Sequence, residues 1–168
     1  MKNLKKYQEP WEYSTFEDFF SEVEIVFLLN GVETIANDWK FCKYIKSLYT
    51  DLGGENVEDY IVEARIKNLG AEGDPWPVNG THIHTDYKPF KKFTAIIYLS
   101  ENSKGSYIYS SMNGDNKQEI EWKQNKGYCF IPTDLTYHSQ PDISEWEGVR
   151  TIVMYNLVDP KLRNGSKL

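Results

Sequence analysis

The chain has 168 residues, 40% of them hydrophobic and 26% charged, which is enough apolar material for a buried core and too much for a disordered segment. Its net charge of −6 argues against a grip on duplex nucleic acid, where a basic patch is expected. The apolar run at residues 25–29 is far too short to cross a bilayer, so neither a nucleic-acid nor a membrane partner is expected.

The first 20 residues are polar but carry Tyr7, Trp11, Tyr13, Phe16, Phe19 and Phe20, so this segment should pack on something. Residues 22–29 fit a strand. Residues 33–52 read as an amphipathic helix, with Ile35, Trp39, Cys42, Ile45 and Tyr49 at spacings of three and four, ended by Gly53-Gly54. From residue 60 the period becomes two: Val62, Ala64 and Ile66 alternate with Glu63, Arg65 and Lys67, the pattern of a half-buried strand. Residues 70–80 are expected to be a loop centred on Asp74-Pro75-Trp76-Pro77. The basic run at 88–92, around Pro89, reads as a solvated turn.

Residues 93–99 read as a strand covered on both sides, with Phe93, Ala95, Ile97 and Leu99 on one face and Thr94, Ile96 and Tyr98 on the other. Segments 107–111 and 118–122 flank Asn113-Gly114, a hairpin signal, and strands at 128–131 and 149–157 complete the set. Many short strands after a helix predict a mainly β (α+β) domain, a double-stranded β-helix (jelly roll, cupin-like) with an N-terminal helix packed on it. Residues 1–168 are expected to form one domain, in which 1–59 support a jelly-roll core at 60–158. Cys42 and Cys129 lie far apart in no metal-ligand spacing, as free thiols in a reducing compartment would, and a cytoplasmic location is expected.

Two features stand out for chemistry. His84 and Asp86 are two apart, so on a strand they share a face, and His138 follows an apolar strand that ends at Pro132. Two imidazoles and one carboxylate on one side of a metal leave adjacent positions open, a set that suits Fe(II). His82 has the same parity and is an alternative to His84. Arg150 shares a strand face with Ile152, Met154 and Asn156, where a buried guanidinium requires an anionic partner. A salt bridge to Glu147 at an exposed strand end is the other reading.

From about residue 60 to residue 158, the order and spacing of His84-x-Asp86, His138 and Arg150 resemble the 2-oxoglutarate- and Fe(II)-dependent oxygenases, and the prolyl-hydroxylase-like members in particular. The resemblance implies that His84, Asp86 and His138 are the catalytic iron ligands and that Arg150 binds the distal carboxylate of 2-oxoglutarate. Tyr98, in a Tyr-Leu strand, would add its hydroxyl, and Thr94 on the same face is a further candidate. The implied reaction uses O2, releases succinate and CO2, and hydroxylates an unactivated C–H of a small molecule, amino acid or peptidyl side chain. Trp76 is expected either to cover the substrate or to plug the core. The chain departs from the pattern at Gly105-Ser106, where members often have Gly-Gly, and at Ile152, where some have Ser or Thr. Asp86 is present where related halogenases lack a carboxylate. A cupin-like sugar binder or isomerase would use the same fold without needing Arg150.

Overall fold

A computed structural model describes residues 2–55, 57–70, 82–102, 104–145 and 148–165. Among these residues, nine strands and three α-helices follow the order β1 (Lys2–Tyr7), β2 (Tyr13–Glu17), α1 (Glu22–Leu29), α2 (Trp39–Asp51), β3 (Ile61–Leu69), β4 (Lys91–Tyr98), β5 (Ser106–Tyr109), β6 (Gln118–Ile120), β7 (Gly127–Phe130), β8 (Tyr137–Ser139), β9 (Arg150–Val158) and α3 (Pro160–Gly165). Six strands form one sheet in the order β1-β2-β7-β4-β9-β3, and three form a second in the order β6-β5-β8. Every pairing between these strands is antiparallel.

The two faces of β4 separate the core into two layers, as its alternation predicts. Phe93, Ala95, Ile97 and Leu99 pack outward with Phe41, Ile45, Leu48 and Tyr49 of α2 and with Val153, Tyr155 and Leu157 of β9. Ile96 and Tyr98 pack inward with Tyr128, Phe130 and Ile152 of the large sheet and with Ile108 and Ile120 of the small one. The two sheets thus share an inner apolar layer, and the helices lie against the outer face. The N-terminal aromatics divide between the layers: Phe16, Phe19 and Phe20 go outward, Trp11 and Tyr13 inward. Because β2 pairs with β7, the first residues extend the six-stranded sheet.

Three expectations are corrected. Residues 22–29 form helix α1, not a strand. Ser21 and Glu24 close a capping box, with Glu24 Oε2 accepting from the Ser21 N–H at 2.8 Å, and only Ile25 and Leu28 are buried. An apolar run without strict alternation left the choice to this cap. The second helix begins at Trp39 rather than 33, because Asp38 Oδ1 accepts from the Lys40 N–H at 2.9 Å and starts it there. Its buried face is Phe41, Ile45, Leu48 and Tyr49, which leaves Trp39 exposed; the helix ends at Gly53 (φ +84°) as expected. Thirdly, the 88–92 run is not a solvated turn throughout. Lys91 opens β4, and its side chain is only 14% exposed.

The predicted hairpin is present, β5 pairing with β6 across a connection that holds Asn113-Gly114. Gly105 sits at its base, where a Cβ would lie 1.7 Å from the Ile120 carbonyl oxygen, so no larger residue fits.

Candidate metal centre

The expected strand at His84 and Asp86 is reduced to an isolated bridge, in which His84 pairs with His138 of β8. Each donates its backbone N–H to the other's carbonyl, at 3.1 and 2.9 Å, so the two residues face each other directly. Their rings lie 4.5 Å apart. Asp86 then reaches the same point from two residues along, with Oδ1 at 3.9 Å from both His84 Nε2 and His138 Nε2. One ligand atom from each of the three residues lies within 4.8 Å of the others. His82 is exposed and outside this cluster.

Backbone carbonyls aim both imidazoles. His84 Nδ1 meets the His82 carbonyl at 2.7 Å, and His138 Nδ1 meets the Thr136 carbonyl at 3.0 Å. A carbonyl oxygen only accepts, so the proton is on Nδ1 and Nε2 is left facing Asp86. His138 is buried, and burial pushes its pKa below the ordinary histidine value despite the nearby Asp86 carboxylate. Burial opposes ionisation of Asp86. The charges of His138 and Lys91, with the Lys91 hydrogen bond, outweigh that and hold its carboxyl below the usual carboxylate range. Lys91 Nζ donates to Asp86 Oδ2 at 3.0 Å, which leaves Oδ1 as the oxygen turned toward the histidines. Sequence reasoning missed Lys91, because a lysine in a short basic run carries no sign that a carboxylate lies against it.

Arg150 is 0% exposed, on the inner face with Ile152 and Asn156. Its guanidinium lies 4.1 Å from the centre of the Trp122 ring and donates to the Lys104 carbonyl at 3.0 Å. Burial pushes its pKa down to about 10, which keeps it charged at neutral pH. Tyr98 stacks on the same indole at 4.0 Å and donates its hydroxyl proton to Ser106 Oγ at 3.0 Å. Burial pushes the Tyr98 pKa up to about 12. Thr94 is on the inner face but is engaged, donating to Asn156 Oδ1 at 3.2 Å. Trp76, expected near the substrate, and Glu147, the other partner considered for Arg150, lie outside the described residues.

The inner layer joins the two parts of the site. Phe130 lies 5.5 Å from His138, Tyr128 6.1 Å from Phe130, and Tyr98 6.2 Å from Tyr128, all between ring centres. Trp122 and Tyr128 were not legible as site residues, since an aromatic in an apolar strand reads equally well as core.

No protein-family model matches the chain, and no curated protein matches it in sequence. The fold is similar to that of a viral collagen prolyl hydroxylase from Paramecium bursaria Chlorella virus-1. The TM-score is 0.59 at 13% identity, over 94% of this chain and 98% of that one. It is also similar to an oxidoreductase of the 2OG-Fe(II) oxygenase family from Burkholderia pseudomallei, with a TM-score of 0.50 at 11% identity, over 94% of this chain and 72% of that one. At such identities the likeness is one of fold. Among the described residues, no helix is long and apolar enough to cross a membrane.

Proposed function

We propose that the protein is an Fe(II)- and 2-oxoglutarate-dependent oxygenase on a double-stranded β-helix, hydroxylating an unactivated C–H of a small molecule, amino acid or peptidyl side chain. The observation that carries this reading is the convergence of His84 Nε2, His138 Nε2 and Asp86 Oδ1 on the inner face that also buries Arg150. Two imidazoles and one carboxylate form a facial set that suits Fe(II), and here the carboxylate oxygen and both nitrogens already face one point. The fold likeness to a collagen prolyl hydroxylase and to an oxidoreductase of the 2OG-Fe(II) oxygenase family supports the same reading.

When bound, Fe(II) with 2-oxoglutarate and O2 supplies the oxidising chemistry, and succinate and CO2 are the products. The chain's residues bind and orient. Backbone carbonyls lock the imidazoles, Lys91 turns Asp86, and Arg150 holds the far carboxylate of the keto acid by charge-assisted hydrogen bonds. Tyr98, Tyr128, Phe130 and Trp122 form the buried apolar layer that lies between these groups. The test is succinate release with Fe(II), 2-oxoglutarate and O2, screened across amino acids, peptides and small acids. Release that depends on one substrate class and is lost in Asp86→Ala supports the reading. Absence of 2-oxoglutarate binding to the Fe(II)-loaded protein under anaerobic conditions would overturn it.

A further inference from the structure

Tyr128 is fully buried, and its hydroxyl has no hydrogen-bond partner among the described residues. An unpaired buried hydroxyl opposes folding, so a tyrosine where phenylalanine would pack as well needs another explanation. Ser106 is close enough to act on this hydroxyl. Its Oγ, however, already accepts from Tyr98 at 3.0 Å and from Gln140 Nε2 at 3.1 Å.

The position of Tyr128 indicates what the hydroxyl is for. Across the sheet it pairs with Ile96, one row from Thr94 and Phe130 and one row from Tyr98. Rows two residues apart are separated by roughly 6.6 Å along a strand. Phe130 leads to His138 at one end, and Tyr98 leads to Trp122 and Arg150 at the other. Burial, with Tyr98 adding to it, holds the Tyr128 pKa well above its ordinary value, so the group keeps its proton. The charges of both Asp86 and Arg150 are felt there. Tyr128 is in turn among the groups felt by the guanidinium.

We propose that Tyr128 donates its free hydroxyl proton to the carboxylate that Arg150 binds, and that it selects a diacid over a mono-acid at this site. The inference rests on the reading of the site as one for 2-oxoglutarate. Tyr98 has its proton engaged by Ser106, so Tyr128 is the donor that is ready without rearrangement.

The experiment uses the full chain loaded with Fe(II) under anaerobic conditions, titrated with 2-oxoglutarate and followed by its visible charge-transfer absorption. Tyr128→Phe should raise the Kd about tenfold or more, as expected for a hydrogen bond to a charged group. The melting temperature of the ligand-free variant should stay level or rise, because the substitution removes only an unpaired hydroxyl. A 2-oxo acid without the second carboxylate, 2-oxobutyrate, should bind both proteins equally. Tight wild-type binding of 2-oxoglutarate left intact by Tyr128→Phe would overturn this inference alone. So would a lower ligand-free melting temperature, or an equal loss of 2-oxobutyrate binding. Failure of the wild type to bind 2-oxoglutarate would overturn the proposed function, and this inference with it.

Discussion

Replacing Arg150 with methionine should separate ligand binding from folding. The guanidinium is fully buried, rests on Trp122 at 4.1 Å and donates to the Lys104 carbonyl at 3.0 Å. Breaking one side of a buried, hydrogen-bonded charge pair typically costs about 3–5 kcal/mol. At about 1.4 kcal/mol per decade, that is roughly two to three and a half decades of affinity. Arg150→Met should therefore weaken 2-oxoglutarate by several hundredfold in an anaerobic titration of the Fe(II)-loaded protein. Tyr98→Phe removes a hydroxyl whose proton goes to Ser106 Oγ at 3.0 Å, a neutral bond worth about 0.5–1.5 kcal/mol, so it should weaken 2-oxoglutarate by no more than roughly two- to tenfold. Methionine keeps an apolar stem against the indole and removes the cost of burying a charge, so the ligand-free melting temperature should change little. Unchanged 2-oxoglutarate affinity in a folded Arg150→Met protein would remove the keto acid from the account.

Three further outcomes are expected. His84→Ala and His138→Ala should each abolish the charge-transfer band formed with Fe(II) and 2-oxoglutarate, while His82→Ala keeps it; the reverse pattern would transfer the ligand role to His82. Lys91→Met strips Asp86 of its 3.0 Å partner and should cost about 1–3 kcal/mol in the metal-free protein. Redox-inert Mn(II) supplies a replacement cation, so it should raise the melting temperature more in Lys91→Met than in the wild type, and equal shifts would count against the role given to Lys91. Burial holds the His138 pKa below its ordinary value, so the unfolded chain takes up a proton near pH 6.5 before the folded chain does. The unfolded state then binds more protons, and the stability of the metal-free protein falls as pH drops below about 6.5. His138→Gln should flatten that slope, and a wild-type melting temperature that is level from about pH 7.5 to 5.5 would contradict the assignment.

Much of this fold is written locally in the chain. The alternation of β4 separates the two core layers residue by residue, because successive side chains on a strand point to opposite faces and each must find an apolar environment. Gly53 ends α2, and Asn113-Gly114 marks the β5–β6 connection, since both are matters of backbone geometry over a few residues. The spacing of His84 and Asp86 suggested a shared strand face, yet His84 is held only by an isolated bridge to His138 and Asp86 lies outside any strand; the pattern through His138 to Arg150 was legible only as a resemblance. What the chain alone did not decide is which groups meet across long sequence separations. The apolar run 22–29 has no strict period, and the Ser21–Glu24 capping box, with the packing of Ile25 and Leu28, makes it a helix. Trp39 has helical spacing but is exposed, because the side of α2 that meets the sheet was set by Phe41 and Leu48. The backbone bridge between His84 and His138, the lysine under Asp86, and the indole beneath Arg150 all depend on strand register between distant segments. A lysine near a proline looks the same in sequence whether or not a carboxylate lies opposite it, and a tyrosine in an apolar strand looks the same whether or not its hydroxyl finds a partner. Only closing the two sheets over one inner layer supplies those neighbours, and with them the charges and buried donors that make the site.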